Sequence, residues 1–198
     1  MKVDIEEVAN WIGAIRDAKD RDRMMDCFWK GQLGSKEWLV HELRKHCHMS
    51  NPNILICGGW MGVLASILFE NWPVGHITNI DIDEGCRMPS IKINKRNQDK
   101  YDFECVNMLK FEHYNEYNVI INTSAEHLSQ SDYMKWLHRI PDEALLVIQS
   151  NNAYQYEDHV NCCRDLDEFN KMCGLAEIKY IGEQEFAEYN RFMAIGRK

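Results

Sequence analysis

Three glycines fall within one short stretch, Gly58-Gly59-Trp60-Met61-Gly62, directly after the apolar run Ile54-Leu55-Ile56-Cys57. Glycine lets a backbone approach a ligand and take torsions that other residues resist. A helix starting just beyond such a loop offers unpaired N–H groups to an anion or carboxylate. A second run, Ile77-Thr78-Asn79-Ile80, ends in Asp81. A carboxylate about twenty residues past the glycines suits paired hydrogen bonds to ribose hydroxyls. Asp83 competes for that role, but Asp81 is nearer the run. Further on, Asn107-Met108 could read an adenine edge with an amide and a backbone N–H, Met108 or Ile82 lying against the base, or could form an ordinary turn.

Two polar clusters also end apolar runs. They are Asn122-Thr123-Ser124-Ala125-Glu126-His127-Leu128 and Gln149-Ser150-Asn151-Asn152, the latter followed by Tyr154, Tyr156, His159 and Asn161. Buried amides and hydroxyls need partners, and a ligand with several polar groups supplies them. Turn chemistry favours the same residues. Ser124, Asn151 and Asn152 are the candidate substrate-binding residues. His127 and His159 are the candidate general bases because imidazole titrates near neutral pH. Glu126 acts as a base itself or orients a histidine.

These groups need a scaffold that brings them together. Residues 3–19 carry Val3, Ile5, Val8, Trp11, Ile12 and Ile15 at helical spacing. Gly31-Gln32-Leu33-Gly34 reads as a turn, with Ser35 capping a helix through Trp38, Leu39, Leu43 and His46. From Asn53 onward, short apolar runs alternate with helical segments: strands at 54–57, 77–82, 103–106, 119–122, 144–148, 176–181 and 192–195. Helices are expected at 63–72, about 89–97 and 131–138. Asp165 to Glu168 has capping-box spacing before another, ending at Gly174. The last two strands are too closely spaced for a crossover and imply a hairpin. The expectation is an α/β fold: a doubly wound, mostly parallel seven-stranded sheet with an antiparallel last strand, preceded by N-terminal helices. Residues 1–50 form a helical extension packed on the main domain, 51–198. Ligands in such sheets lie at the carboxyl ends of the strands, where the polar clusters stand.

Composition bounds the function. The 198 residues are 45% hydrophobic with a net charge of −8. That is globular composition without a global electrostatic footprint for nucleic acid. No apolar run reaches the length of a bilayer span, and the acidic start lacks a signal peptide's apolar stretch. A cytoplasmic location is expected. Eight cysteines without a C-x-x-C pair suggest free thiols in a reducing compartment. His46-Cys47-His48 and Cys162-Cys163 do not indicate a metal site.

The pattern resembles the class I S-adenosylmethionine-dependent methyltransferases over about residues 51–198. Their first loop follows a hydrophobic-acid-x-Gly-x-Gly-x-Gly pattern. Gly58 and Gly62 match it, while Ile56 stands at the acid and Trp60 at a glycine. Asp81 matches the ribose-binding acid, Asn107 stands where an acid is frequent, and Glu126-His127-Leu128 resembles the segment after strand four. The resemblance implies S-adenosyl-L-methionine as cofactor, held by Gly58, Gly59, Trp60, Gly62, Asp81, Ile82, Asn107, Met108 and Asn122. Trp60 would wall the sulfonium, since an aromatic face attracts a cation, or belong to the core. Lys36 could meet the cofactor carboxylate. The acceptor is expected to be a small polar or nucleotide-like molecule, methylated on O or N. Duplex DNA is disfavoured: the Pro-Pro motif of amino-methylating enzymes, a Pro-Cys nucleophile and a target-recognition domain are all missing. Other readings are transfer of another group from the same sulfonium, a non-catalytic cofactor-binding subunit, and a nicotinamide enzyme. The aromatic N-terminal helices could form a lid, a homodimer surface or plain core.

Overall fold

A computed structural model describes residues 4–198, so the expected helix start at Val3 lies outside the described residues. Seven strands form one sheet: β1 (Asn53–Cys57), β2 (His76–Asp81), β3 (Tyr101–Cys105), β4 (Val119–Asn122), β5 (Leu145–Asn151), β6 (Glu177–Glu185) and β7 (Asn190–Arg197). Their order is β3-β2-β1-β4-β5-β7-β6. β1 to β5 are parallel, and β7 runs antiparallel to both β5 and β6. The expected fold class and closing hairpin are those observed.

The continuous apolar runs follow from burial on both faces. In β1, Ile54 and Ile56 belong to one core, and Leu55 and Cys57 to the other. The first core packs under α1 (Ile5–Arg16), α3 (Lys30–His46), α4 (Val63–Asn71) and α5 (Arg87–Ile93); the second packs under α6 (Gln130–Arg139) and α7 (Leu166–Cys173). The short α2 (Arg21–Asp26) adds Met24 to the first core. The N-terminal helices therefore share a core with the sheet. All eight cysteines are free, and burial pushes the Cys57 thiol up to about 12, which keeps it an inert apolar side chain. Among the described residues, no helix is long and apolar enough to cross a membrane.

Three expectations need correction. The Gly31–Gly34 turn and the Ser35 cap do not form, because α3 runs unbroken from Lys30. Both glycines serve close packing: Gly31 lies against the Trp29 ring and Gly34 against Phe186. On α1 the buried residues are Glu7, Trp11 and Ala14, whereas Ile5 and Ile12 are 87% and 61% exposed. Polar bonds set that rotation: Glu7 Oε1 accepts Trp11 Nε1 at 2.7 Å and also the Ser66 hydroxyl from α4. Finally, β5 is longer than expected. Gln149, Ser150 and Asn151 lie inside it, because pairing with Met193, Phe192 and Arg191 of β7 continues beyond the parallel ladder.

Capping at α7 also differs in detail. Asp165 accepts Glu168 N at 2.8 Å, but the Glu168 carboxylate reaches Arg164 N rather than closing a capping box.

Candidate functional site at the carboxyl ends of the strands

The glycine loop joins β1 to α4. Gly58 and Gly62 have φ of 62° and 74°, the left-handed region in which a side chain is disfavoured. Trp60 shares that region at φ 51°, an uncommon placement for a bulky residue. Two contacts hold it there: Trp60 N donates to Asp81 Oδ2 at 2.9 Å, and Asn79 Nδ2 donates to Trp60 O at 3.2 Å. The Trp60 ring packs on the first core. Asp81 Oδ1 accepts Asp83 N at 3.0 Å, so one carboxylate fastens both loops. Each oxygen keeps a second lone pair for a ligand hydroxyl. Asp83 instead caps the turn at Gly85 and pairs with Arg23.

Space at Gly59 is fully used, since a Cβ there would collide with Asn79 Oδ1. Asn79 cannot retreat, being fully buried and bonded to Trp60 O. Gly59→Ala should therefore cost about 1–3 kcal/mol of stability by overpacking, read as a lowered urea midpoint. An unchanged midpoint would show that the loop can open without cost. Asn79 went unnoticed in the sequence because it sits mid-strand, where an amide in an apolar run carries no label for its partner.

On the neighbouring edge, Ile82 is 71% exposed just past β2. Asn107 Oδ1 accepts Leu109 N at 2.8 Å, forming a turn after β3. Met108 reaches inward, where Asn122 Nδ2 approaches its sulfur at 3.7 Å. Asn122 itself is completely buried, and its Oδ1 accepts Ser124 N at 2.9 Å. It shapes the loop after β4. Ser124 Oγ donates to Gly58 O at 3.3 Å, which puts the polar segment against the glycine loop.

The two polar clusters are tied together by Arg191, at the start of β7. Its guanidinium donates to Glu126 Oε1 at 3.2 Å, to Gln149 Oε1 at 3.2 Å and to Thr123 O. Asn151 Nδ2 donates to the same Glu126 oxygen at 2.8 Å. Glu126 is 3% exposed. Asn152 lies apart from this group and binds Asn190 N through Oδ1 at 2.7 Å, closing the β5–β7 end. Sequence reasoning missed Arg191; a single charge heading an apolar strand was the available signal.

Ser35 Oγ donates to Gln149 Oε1 at 3.0 Å, which brings α3 over this end of the sheet. The next residue, Lys36, donates from Nζ to Gln32 Oε1, one turn back, at 2.6 Å. Burial, with Arg191 adding to it, lowers the Lys36 ammonium to about 7. The unfolded chain binds that proton up to 10.5, so the penalty on stability is complete below about pH 7 and fades as pH rises towards 10.5. Lys36→Met should raise the melting temperature at pH 6 and have little effect near pH 10. Equal effects at both pH values would contradict a buried ammonium.

Next to Glu126 stand the two histidines. His127 Nδ1 lies 3.1 Å from Asp158 O and 3.2 Å from Asp158 Oδ2. Both are acceptors, so Nδ1 carries a hydrogen and points it at Asp158. The His127 and His159 rings meet edge to face, with centroids 4.8 Å apart. Burial lowers the His159 pKa, favouring neutral imidazole. Glu126, His127 and His159 thus converge, with Asn151 bonded to the carboxylate.

This architecture recurs in solved structures. NodS, an N-methyltransferase from Bradyrhizobium japonicum WM9 in complex with S-adenosyl-L-homocysteine, superposes with a TM-score of 0.71 at 12% identity, covering 96% of this chain and 98% of its own. The chain has a class I methyltransferase fold. Two further structures share that fold. Magnesium protoporphyrin IX methyltransferase (ChlM) from Synechocystis PCC 6803 with bound SAM gives 0.65 at 12% identity, covering 96% and 91%. A point mutant of MtNAS in complex with S-adenosylmethionine gives 0.61 at 10%, covering 97% and 72%. No protein-family profile and no curated protein matches the sequence.

Proposed function

We propose that this chain is an S-adenosylmethionine-dependent methyltransferase acting on a small polar or nucleotide-like acceptor, with oxygen or nitrogen as the receiving atom. One observation carries the reading. Cys57 and Asn122 are register partners in adjacent parallel strands, so the glycine loop and the polar segment face one another where the strand order reverses. Gly58, Gly59, Trp60 and Gly62 would admit the methionine moiety by close backbone approach. Asp81 would take the ribose hydroxyls, and Ile82, Asn107 and Met108 would border the adenine. Asn122 supports this wall from inside through Met108 and Ser124.

The cofactor, when bound, supplies a methyl group on a positively charged sulfur. The protein's task is alignment of the acceptor and removal of its proton where one must leave. Ser124 stands nearest the glycine loop and would orient the acceptor. His127 Nε2 and the neutral His159 are the groups able to accept a proton, and Glu126 sets their surroundings. Asn151 acts through Glu126, and Asn152 through the β7 strand end.

Calorimetric titration of the purified chain with S-adenosylmethionine, S-adenosylhomocysteine and NAD tests the cofactor. Binding of the two sulfur nucleosides without NAD is expected; binding of NAD alone would overturn the reading. Incubation of metabolite extracts with methyl-labelled donor then tests catalysis. Label should pass into a small molecule and disappear with His127→Ala. Cofactor binding with no transfer to any extract would favour a non-catalytic subunit.

A further inference from the structure

We propose that Glu126, His127 and His159 bind a divalent transition-metal ion at the carboxyl end of β4. Each offers a ligand atom, and these atoms lie within 4.8 Å of one another. Two atoms in the cluster are buried with no hydrogen-bond partner: Glu126 Oε2 and His159 Nδ1. A buried polar atom left unpaired loses its hydration without compensation. One cation would satisfy both at once, whereas the ion pair with Arg191 accounts only for the other Glu126 oxygen.

The surroundings are those of a supported ligand set. Asp158 accepts the Nδ1 hydrogen of His127, the outer contact that fixes a ligating imidazole and frees Nε2. Asn151 and Arg191 hold Glu126 Oε1, leaving Oε2 to face the cation. The backbone is also fixed, since Val160 N and Asn161 N donate to Glu126 O at 2.8 and 2.9 Å. That pins the loop carrying His159 to the segment carrying the other two residues. Ligands about 2.1 Å from one ion stand roughly 3–3.5 Å apart, so a modest side-chain movement closes the set.

Two imidazoles and one carboxylate suit zinc, iron(II) or a similar ion, and disfavour magnesium and calcium, which take all-oxygen shells. Three protein ligands leave coordination positions open. If the methyltransferase reading holds, the ion would lie beside the acceptor position marked by Ser124. It would then favour acceptors with a hydroxyl that a metal can hold and acidify. The imidazoles would in that case act as ligands and not as bases, and the acidified hydroxyl would pass its proton to solvent water.

The test uses the full chain, stripped with a chelator and titrated with cobalt(II) under visible absorption. One equivalent should bind with the d–d bands of a four- or five-coordinate site. His127→Ala and His159→Ala, checked by circular dichroism for native fold, should each weaken binding at least tenfold. Glu126→Gln serves as a third variant that keeps shape while removing charge. Absence of stoichiometric binding at millimolar cobalt would overturn the proposal. So would undiminished binding in both folded histidine variants, which would place the ion elsewhere. S-adenosylhomocysteine affinity, measured on the same samples, reports separately on the methyltransferase reading: its absence would sink that reading and leave the metal site standing.

Discussion

Asp81→Ala should weaken S-adenosylhomocysteine binding by two orders of magnitude or more. Two losses combine. A carboxylate accepting ribose hydroxyls makes charged hydrogen bonds, each contributing about 1.5–3 kcal/mol. The same oxygens hold Trp60 N and Asp83 N, so the glycine loop loses its anchor as well. Asp81→Asn separates the two losses, because the amide oxygen still accepts one backbone N–H. Affinity in Asp81→Asn should fall between those of wild type and Asp81→Ala. The measurement is calorimetry on protein whose circular dichroism is unchanged. Wild-type affinity in Asp81→Ala would remove the ribose assignment, whatever the fold.

Arg191→Met should be the most destabilising single change at the site, lowering unfolding free energy by about 3–5 kcal/mol. Arg191 and Glu126 side chains are 7% and 4% exposed, so removal of the cation strands a carboxylate away from water. Gln149 and Thr123 O lose donors in the same step. The double variant Arg191→Met with Glu126→Gln should recover a good part of the loss, since no charge then remains buried. Urea denaturation of the four proteins gives the coupling directly. A loss below about 1 kcal/mol in the single variant would mean that Arg191 does not pin the last strand to the site.

Much of the fold was readable because its causes are local. Gly58 and Gly62 mark positive φ, Asp165 and Gly174 bracket α7, and the apolar runs of β1, β4 and β5 announce strands covered on both faces. The short gap before the last strand was enough to require an antiparallel return, and only Phe186 to Tyr189 separates β6 from β7. Where helical glycines pack against a distant ring, the local signal misleads. Gly34 looked like a turn residue, yet it lets α3 approach Phe186 from the β6–β7 hairpin.

The candidate site divides along the same line. Its strand-end loops and its residue types (glycines, Asp81, the Glu126-His127 pair, His159) were set by the sequence itself, because backbone torsion and side-chain chemistry belong to each residue. Which groups meet was decided only in three dimensions. The β5–β7 register carries Arg191 to Glu126 and draws Gln149 and Asn151 into the sheet. The loop after β5 folds back to set His159 against His127 across more than thirty intervening residues. Such partnerships depend on distances between segments remote in the chain, and no local propensity encodes them.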